Sequence, residues 1–178
     1  MAIELVTSIP SEAEAIFRMN HAYHTKHAWQ MNRHVNTEQL SVEFQRVRLP
    51  RQMLVQPRWA PEERIQQNQN ADMVMVAMKE ESPVGYVVLE ETKQGGLVTI
   101  LDLVVRQNHR RKGIGSMLLE AAQDWTSHRG CQRLVIDVTT KNDPAINLLV
   151  HNGFDYCGFH EFFSPNHDII LFYGIYLR

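Results

Sequence analysis

The sequence predicts a single α+β domain built on a mixed, mostly antiparallel sheet. Three observations predict this fold class: short β-branched runs recur along the chain, one long stretch has the three- and four-residue apolar spacing of an amphipathic helix, and no repeat or low-complexity tract interrupts them. A length of 178 residues with 44% hydrophobic content suits one substantial core. We therefore expect one domain over residues 1–178.

The N-terminal third is predicted to contain a strand, a helix and an extended segment. Residues 2–7 form the strand, and Ser11 with the acidic residues after it opens a helix that runs to about His24. Residues 28–49 are expected to be extended, because apolar and polar residues alternate in their second half. Prolines punctuate the next stretch, which leads into a short polar helix over residues 62–69.

The later strands are predicted from apolar, β-branched runs. Residues 72–79 and 84–91 are expected to pair as antiparallel neighbours joined at residues 81–83, and residues 94–96 turn the chain into the next strand. The remaining strands are predicted over residues 99–105, 133–138, 155–163 and 168–176, the last two separated by residues 165–167.

A basic, glycine-containing turn between strand 99–105 and the helix after it predicts a phosphate site. The helix is indicated by apolar residues at helical spacing, namely Ile114, Met117, Leu118, Ala121, Ala122 and Trp125. The first amides of a helix have no partners within it, and the helix dipole is positive there. Gly113 and Gly115 remove side chains that would block an anion, and residues 110–112 add positive charge. We expect this turn to bind a pyrophosphate.

Two common nucleotide-binding motifs do not fit this turn. A P-loop carries a lysine and then a serine or threonine after its last glycine, whereas Lys112 precedes Gly113. A dinucleotide fingerprint requires a third glycine where Leu118 stands. A nucleotide-binding α/β protein is therefore the least favoured alternative.

The pattern Arg110-x-x-Gly113-Ile114-Gly115 on a strand, turn and helix resembles the acetyl-CoA site of the GNAT superfamily of N-acyltransferases. One departure is Arg111, where many members of that family carry glycine. The resemblance implies acetyl-CoA as cofactor and a sheet whose two central parallel strands splay apart, flanked by helices. It also implies a pyrophosphate-binding strand, loop and helix over residues 99–129 and a variable, substrate-side segment over residues 28–70.

A second segment, residues 142–154, resembles the later Asn-x-x-Ala…Gly-Phe motif of the same family. Asn142 is a good N-cap and Pro144 is tolerated in a first helical turn, while Gly153 suits the left-handed position that ends a helix. In the family the matching asparagine helps to hold the pantetheine arm, so Asn142 takes that role by resemblance.

The resemblance assigns cofactor contacts to the end of strand 99–105, to the loop and to the second motif. The backbone of Val105 and Arg106 would pair with the pantetheine amides, and the loop amides would bind the pyrophosphate. The complete predicted set is Leu103, Val104, Val105, Arg106, Arg110, Arg111, Lys112, Gly113, Ile114, Gly115, Ser116, Asn142 and Ala145.

Leu149 stands where relatives often carry a tyrosine that protonates the departing CoA thiolate. Leucine cannot donate a proton, so either another group serves as the acid or the thiolate takes its proton from water. Tyr156 and Tyr173 are the candidates from the sequence, with aromatic core or rim positions as the alternative explanation.

Direct attack by an amine requires a proton acceptor, because an amine with a pKa of about 10.4 is mostly protonated at neutral pH. Asp102, on the strand three residues before Val105, is the preferred catalytic acceptor. A solvated or salt-bridged strand carboxylate is an equally good explanation of Asp102. Glu90 and Glu91 on the neighbouring strand are weaker candidates.

Residues 153–172 resemble streptothricin acetyltransferases and their close relatives. If that resemblance holds, the acceptor is a small cationic amine, and the carboxylates Asp102, Asp155, Glu161 or Asp168 could attract it. The segment over residues 29–33 and the arginines Arg46, Arg48 and Arg51 would place cations near the substrate side and argue against a cationic acceptor. A solvated strand face is the alternative explanation of these arginines. Acetyl transfer to a protein N-terminus or lysine, and a non-catalytic acyl-CoA sensor, remain alternatives.

Composition excludes several other classes. A net charge of −2 gives no basic footprint for nucleic acid, and no apolar run approaches a membrane span. The first residues lack a signal-peptide profile, and two widely spaced cysteines are expected to be reduced thiols, which predicts a cytoplasmic protein. His21, His24 and His27 come nearest to a metal set on a predicted helix, but His24 and His27 lack a third ligand with supporting spacing, so no metal is expected. The family resemblance allows a homodimer.

Overall fold

The computed structural model describes residues 2–92, 95–162 and 168–177. The strands are β1 Glu4–Ser8, β2 Tyr23–Val35, β3 Leu40–Val55, β4 Met73–Lys79, β5 Ser82–Thr92, β6 Leu97–Val105, β7 Arg133–Thr139, β8 Asp155–His160 and β9 Ile170–Tyr176. The helices are α1 Glu14–Phe17, α2 Pro61–Asn68, α3 Ile114–His128 and α4 Asp143–His151. The predicted turn residue Gln94 and the predicted connection at residues 165–167 lie outside the described residues.

Seven strands form one sheet in the order β1-β4-β5-β6-β7-β9-β8, and all neighbouring pairs are antiparallel except β6 and β7. The parallel pairing of β6 with β7 ends at Ile100 and Ile136. Both strands continue beyond that point, β6 to Val105 and β7 to Thr139. The mixed sheet with splayed central parallel strands is therefore confirmed.

A β-bulge lies on β6 where the splay begins. Val88 of β5 pairs with Asp102, whereas the next residue, Leu89, pairs with Ile100. Leu101 is thus the extra residue on β6. A bulge bends its strand and increases the local twist, so the end of β6 turns away from β7 and a slot opens between them.

Apolar side chains pack against both faces of the sheet. Leu118 and Leu119 of α3, with Ile146 and Leu149 of α4, join the larger core on one face. On the other face, Phe17 of α1 packs in a smaller core with sheet residues, and α1 and α2 cover this face. None of the described helices is long and apolar enough to cross a bilayer.

The predicted long helix from Ser11 to His24 was wrong. The helix spans only Glu14–Phe17, and β2 begins at Tyr23. The Asn20 side chain accepts a hydrogen bond from the Ala22 N–H, a local turn that competes with helix. Beyond it, pairing with β3 fixes an extended strand.

Strands β2 and β3 form a separate two-stranded ribbon. Its strands agree with the extended conformation predicted for residues 28–49 except at residues 36–39, which form the turn between β2 and β3, and the strands reach further at both ends. The Trp29 N–H donates to the Thr140 carbonyl at 2.8 Å, which joins the ribbon to the chain just after β7. Trp29 and Phe44 also pack against the larger core. The ribbon therefore borders the slot between the splayed strands.

Candidate active site

The loop between β6 and α3 leaves the first turn of α3 without a side-chain cap. Gly113 is the N-cap residue, with φ of 81°, and no side chain hydrogen-bonds to the helix start. Arg111 also has a positive φ, 63°. The left-handed conformation at these two positions turns the chain sharply into α3. The first-turn amides of α3 are therefore available to an anion.

Helix α4 differs, because Asn142 caps it. Asn142 Oδ1 accepts a hydrogen bond from the Ala145 N–H at 3.2 Å, as expected for an N-cap. Gly153 ends the segment with φ of 85°, as predicted. The Ala145 N–H is therefore already engaged. The side-chain nitrogen of Asn142, Nδ2, is left as the donor at this position.

The guanidinium of Arg110 is held by the protein itself. Its Nε donates to the Val105 carbonyl at 2.8 Å and its Nη1 to the Ala22 carbonyl at 3.0 Å. Burial lowers the pKa of Arg110. Arg110 thus joins the loop to the end of β6 and to the start of the ribbon. Arg110 was expected mainly to add positive charge at the phosphate. Instead, its guanidinium is hydrogen-bonded to two backbone carbonyls.

Three residues of the predicted cofactor set are not among those that line the cleft, namely Arg106, Lys112 and Ile114, although the last two were expected to contribute backbone amides as well. The Arg106 N–H donates to the Val84 carbonyl and its carbonyl accepts from the His109 N–H, both at 2.8 Å. Lys112 Nζ donates to the Asn108 carbonyl at 2.9 Å on the exposed side of the loop. The Ile114 side chain is buried in the core. For Arg106, both backbone groups are engaged, so the expected pairing with pantetheine does not fit.

A cleft of about 1320 Å³ opens at the splayed strand ends. Its walls come from β6, β7, the loop, the start of α4 and the segment after β3. The predicted residues that line it are Asp102, Leu103, Val104, Val105, Arg110, Arg111, Gly113, Gly115, Ser116, Asn142 and Ala145. The structure thus brings most of the predicted site together around one slot.

Asp102 lies beside the bulge with its side chain 12% exposed. Its Oδ2 accepts hydrogen bonds from the Tyr86 hydroxyl at 2.7 Å and from Asn68 Nδ2 at 3.4 Å. Arg64 Nε lies 3.8 Å from the same oxygen. Burial raises the pKa of Asp102 to about 6, against the opposing effect of these three groups. The carboxylate is ionised at neutral pH and has a pKa suited to accepting a proton.

His21 completes this cluster. Its Nε2 lies 2.9 Å from the Tyr86 hydroxyl oxygen, and its Nδ1 lies 3.5 Å from Asp102 Oδ1. Burial, followed by the charges of Arg64 and Arg110, lowers the pKa of His21 to about 3. His21 lines the cleft together with Asp102.

Sequence reasoning missed the partners of Asp102. Arg64 and Asn68 belong to the short helix predicted to be polar, yet both are buried. Arg64 Nη1 donates to the Phe17 carbonyl at 2.7 Å, and its Nη2 to the Trp59 carbonyl at 3.0 Å. Their i,i+4 spacing, which places both on one helix face, was the available signal. Tyr86 sits in an apolar strand run that gave no sign of a polar partner.

Two of the other carboxylates expected to attract a cationic acceptor have partners of their own: Lys141 hydrogen-bonds to Asp168, and Arg33 pairs with Glu161. Asp155 is exposed and is not among the residues that line the cleft. Asp137, which was not predicted, also lines the cleft, and Arg58 Nη1 donates to its Oδ2 at 2.6 Å. Asp102 remains the carboxylate of the predicted group that combines burial, cleft exposure and a raised pKa.

Tyr156 and Tyr173, the predicted candidates for the acid, are not among the residues that line the cleft. Their rings pack edge to face at 6.2 Å, and Tyr173 is buried. Tyr23, which sequence reasoning assigned to a helix, does line the cleft. Its hydroxyl lies 3.4 Å from Thr139 Oγ1 at the end of β7, and burial raises its pKa to about 12.

No group of three or more metal-ligating side chains occurs within residues 2–92, 95–162 and 168–177. His24 and His27 lie on β2, not on the helix that was predicted for them. The cleft thus combines an uncapped helix start, splayed strand ends and two largely buried carboxylates, Asp102 beside the bulge and Asp143, which is paired with Arg46.

The family model for the acetyltransferase (GNAT) family matches residues 35–154, more than half of the chain. The chain belongs to this family. It is 36% identical over 74 residues to streptothricin acetyltransferase of Streptomyces lavendulae, and 35% identical over 71 residues to streptothricin acetyltransferase of Escherichia coli. These matches cover 42% and 40% of this chain, which spans only 39% and 40% of the lengths of those two relatives.

Solved structures share the fold over the whole chain. The crystal structure of nourseothricin acetyltransferase has a TM-score of 0.82 at 21% identity, with 100% of both chains covered. A Bacillus anthracis protein solved in complex with acetyl coenzyme A has a TM-score of 0.78 at 13% identity, again with full coverage of both chains. At these identities the likeness shows the fold.

Proposed function

We propose that this chain transfers an acetyl group from acetyl-CoA to a primary amine of a small molecule by direct attack. The observation that carries the proposal is the position of the uncapped α3 start and of Asp102 on one cleft between splayed strands. The α3 start offers backbone donors to an anion, and Asp102 offers a largely buried proton acceptor on the same cleft.

The residues of the slot suit a long, phosphate-bearing thioester. The first-turn amides of α3 and the charge of Arg111 would bind the pyrophosphate, and the strand between Leu103 and Val105 would lie along the pantetheine. Asn142 would donate from its side-chain Nδ2, because its Oδ1 already caps α4. We leave the backbone of Arg106 and the side chain of Lys112 out of the proposed contacts, since both are hydrogen-bonded elsewhere.

Asp102 would take one proton from the acceptor ammonium, so that the free amine attacks the thioester carbonyl. The second proton leaves the nitrogen as the amide forms and is taken by the departing thiolate or by water. Asn68 Oδ1 is buried beside this carboxylate and accepts no hydrogen bond within the described chain.

The acceptor class is proposed from the relatives named above, whose printed name is streptothricin acetyltransferase. The Arg58–Asp137 pair also lines this cleft. A cytoplasmic location is proposed from the two free thiols, Cys131 and Cys157. The homodimer stays a prediction.

The experiment is an assay of thiol release from acetyl-CoA with streptothricin, spermidine, tyramine and a peptide with an N-terminal alanine as separate acceptors. We expect turnover with at least one small amine and loss of about 10²-fold or more in kcat for Asp102→Asn. Faster turnover of the peptide would favour the protein-acetylating alternative. Tight acetyl-CoA binding without transfer to any acceptor would favour an acyl-CoA sensor, for which Leu149 in place of a proton-donating tyrosine is the supporting observation.

A further inference from the structure

The side chain of Asn152 has a fixed orientation at the end of helix α4. Its Nδ2 lies 2.7 Å from the Leu148 carbonyl oxygen and 3.1 Å from Ser116 Oγ. A carbonyl oxygen only accepts hydrogen bonds, so the atom that faces Leu148 is the amide nitrogen and not Oδ1. This nitrogen carries two protons and accepts none. The second proton of Asn152 Nδ2 is therefore donated to Ser116 Oγ.

Close packing of α3 against α4 brings these two side chains together. Leu148 and Asn152 are four residues apart, and residues with this spacing share one helix face. On that face Leu148 meets Gly115, where a Cβ would lie only 2.9 Å from Leu148 Cδ2. Asn152 meets the next residue of α3, Ser116. The hydrogen bond between the helices thus depends on the close approach that Gly115 allows.

The bond from Asn152 leaves the hydroxyl proton of Ser116 for another acceptor. A serine hydroxyl has one proton and two lone pairs, and Asn152 occupies one lone pair. Inside a helix such a hydroxyl can donate to the carbonyl four residues earlier, as Thr126 does to Ala122 at 2.7 Å. The Ser116 hydroxyl donates to no group of the described chain.

That proton lies beside the free amides of the α3 start. Ser116 is the third residue of α3, and the Cα–Cβ bond of a helical residue tilts toward the N-terminus of the helix. Ser116 lines the cleft together with Gly113 and Gly115, whereas Asn152 is not among the lining residues. The helix start therefore offers a hydroxyl donor in addition to its amides, and a phosphate oxygen is a strong acceptor for both.

We propose that Asn152 is a positioning residue for cofactor binding, which holds the Ser116 hydroxyl as a donor to the pyrophosphate of acetyl-CoA. This inference rests on the proposed acetyl-CoA site at the α3 start. Asn152 does not touch the cofactor in this account. It occupies the Ser116 lone pair, so that the hydroxyl proton is directed to the anion, and the C-cap residue of α4 thereby contributes to cofactor affinity.

Binding of coenzyme A to the full chain, measured by isothermal titration calorimetry, tests this inference without requiring transfer. We expect Ser116→Ala to weaken binding about tenfold, since a hydrogen bond to a charged group is lost, and Asn152→Ala to weaken it several-fold. In the Ser116→Ala background, Asn152→Ala should cause no further loss. An equal loss in both backgrounds, or a Kd of Asn152→Ala that matches wild type, would overturn the proposal.

A crystal structure of wild type with coenzyme A decides the question if Asn152→Ala does not fold. We expect Ser116 Oγ at about 2.7 Å from a phosphate oxygen, with the Asn152 hydrogen bond retained. A Ser116 hydroxyl without a phosphate contact would overturn the proposal.

The choice of acetyl donor separates this inference from the proposed function. Acetyl-pantetheine carries the thioester but no pyrophosphate, so Asn152→Ala should raise KM for acetyl-CoA and leave KM for acetyl-pantetheine unchanged, with streptothricin as acceptor. Val150→Ala, at a position on α4 that is 58% exposed, is the matched control and should change neither KM. A rise in both KM values for Asn152→Ala would contradict a role through the pyrophosphate. If the calorimetry gives the expected pattern but no small amine is acetylated, the proposed function is wrong and this inference stands.

Discussion

Arg46 of the ribbon and Asp143 of helix α4 are joined by two hydrogen bonds across 97 residues of sequence. Arg46 Nε donates to Asp143 Oδ1 at 2.6 Å, and Nη2 donates to Oδ2 at 2.9 Å. Trp29 Nε1 adds a third donor at 3.3 Å. Asp143 follows Asn142 directly, so the position of the ribbon determines the start of α4 and one wall of the cleft.

We expect Arg46→Gln to lower the melting temperature at neutral pH and to raise KM for acetyl-CoA several-fold, because the buried Asp143 loses its two main donors. The hydrogen bonds from Arg46 hold the pKa of Asp143 below its usual value. The stabilisation is therefore present at neutral pH and is lost as pH falls through that lowered pKa. Thermal unfolding at several pH values measures this.

Arg48→Gln, at an exposed position two residues further along β3, is the matched control. It should leave the melting temperature and KM near wild type. Equal melting temperatures of the two variants across pH would contradict a structural role for the Arg46–Asp143 pair.

Arg111 has a φ of 63°, a conformation that disfavours side chains with a Cβ. We expect Arg111→Gly to raise the stability by up to about 1 kcal/mol, since relief of strain is partly offset by the entropy of glycine. The same variant should weaken acetyl-CoA binding, because it removes a cation from the cleft. Chemical denaturation and the KM for acetyl-CoA measure the two effects.

Glu81→Gly is the control for this prediction. Glu80 and Glu81 form the two-residue turn between β4 and β5, with φ of 49° and 63°. This turn begins one residue earlier than the connection predicted at residues 81–83. Relief of strain at Glu81 should stabilise the chain without changing KM. A matching KM increase in Glu81→Gly would show that the effect at Arg111 is not local to the cofactor slot.

Gly113 and Gly115 are glycines for different reasons. A Cβ on Gly115 would lie 2.9 Å from Leu148 Cδ2, so this position lets α3 and α4 pack closely. A Cβ on Gly113 would meet nothing within 4 Å, but its φ of 81° is strained for other residues. Both glycines were expected mainly to leave space for an anion. In the structure, Gly115 allows helix packing and Gly113 allows a left-handed backbone conformation.

We predict that Gly113→Ala costs about 1 kcal/mol through backbone strain alone. Gly115→Ala should cost a similar amount, and that cost should shrink when Leu148→Ala makes room, while the cost of Gly113→Ala should not change. A double-mutant cycle by chemical denaturation measures both couplings. Full additivity of Gly115→Ala with Leu148→Ala would contradict the packing explanation.

The buried Asp102 carboxylate is expected to destabilise the fold at neutral pH. Its folded pKa of about 6 exceeds the usual 3.8, so the folded chain binds an extra proton between these values and its stability falls as pH rises through 6. A difference of two pKa units corresponds to about 3 kcal/mol. The stability advantage of Asp102→Asn over wild type should therefore grow by roughly this amount from about pH 4 to pH 7.

Denaturant unfolding of both proteins over this pH range checks the prediction, with Asp124→Asn, an exposed carboxylate on α3, as the control. An advantage of Asp102→Asn that stays constant with pH would show that Asp102 does not gain its proton on folding. Such a result would also weaken its assignment as the proton acceptor.

Local signals explain what the sequence could predict. The strand before the loop, the apolar face of α3 and the Asn142 cap depend on neighbours within a few residues, and the structure has all three. The ribbon depends on pairs such as Tyr23 with Val55, which lie far apart in sequence. Short-range patterns therefore favoured a helix where the fold has a strand.

The candidate site divides in the same way. Asp102 could be named from its place on a strand before the glycine turn, whereas its donors Tyr86 and Asn68 come from elements that meet it only in three dimensions. Likewise, Arg110 carries the expected charge, but its contacts with Val105 and Ala22 depend on how the ribbon folds back. Side-chain direction was the missing information.

The central claim is that the bare helix start of α3 binds the pyrophosphate of acetyl-CoA. A crystal structure of the chain with coenzyme A tests it most directly. We predict pyrophosphate oxygens at about 3 Å from the backbone nitrogens of residues 113–116, with the pantetheine entering between β6 and β7. Coenzyme A bound elsewhere, or those nitrogens making no phosphate contact, would contradict the account.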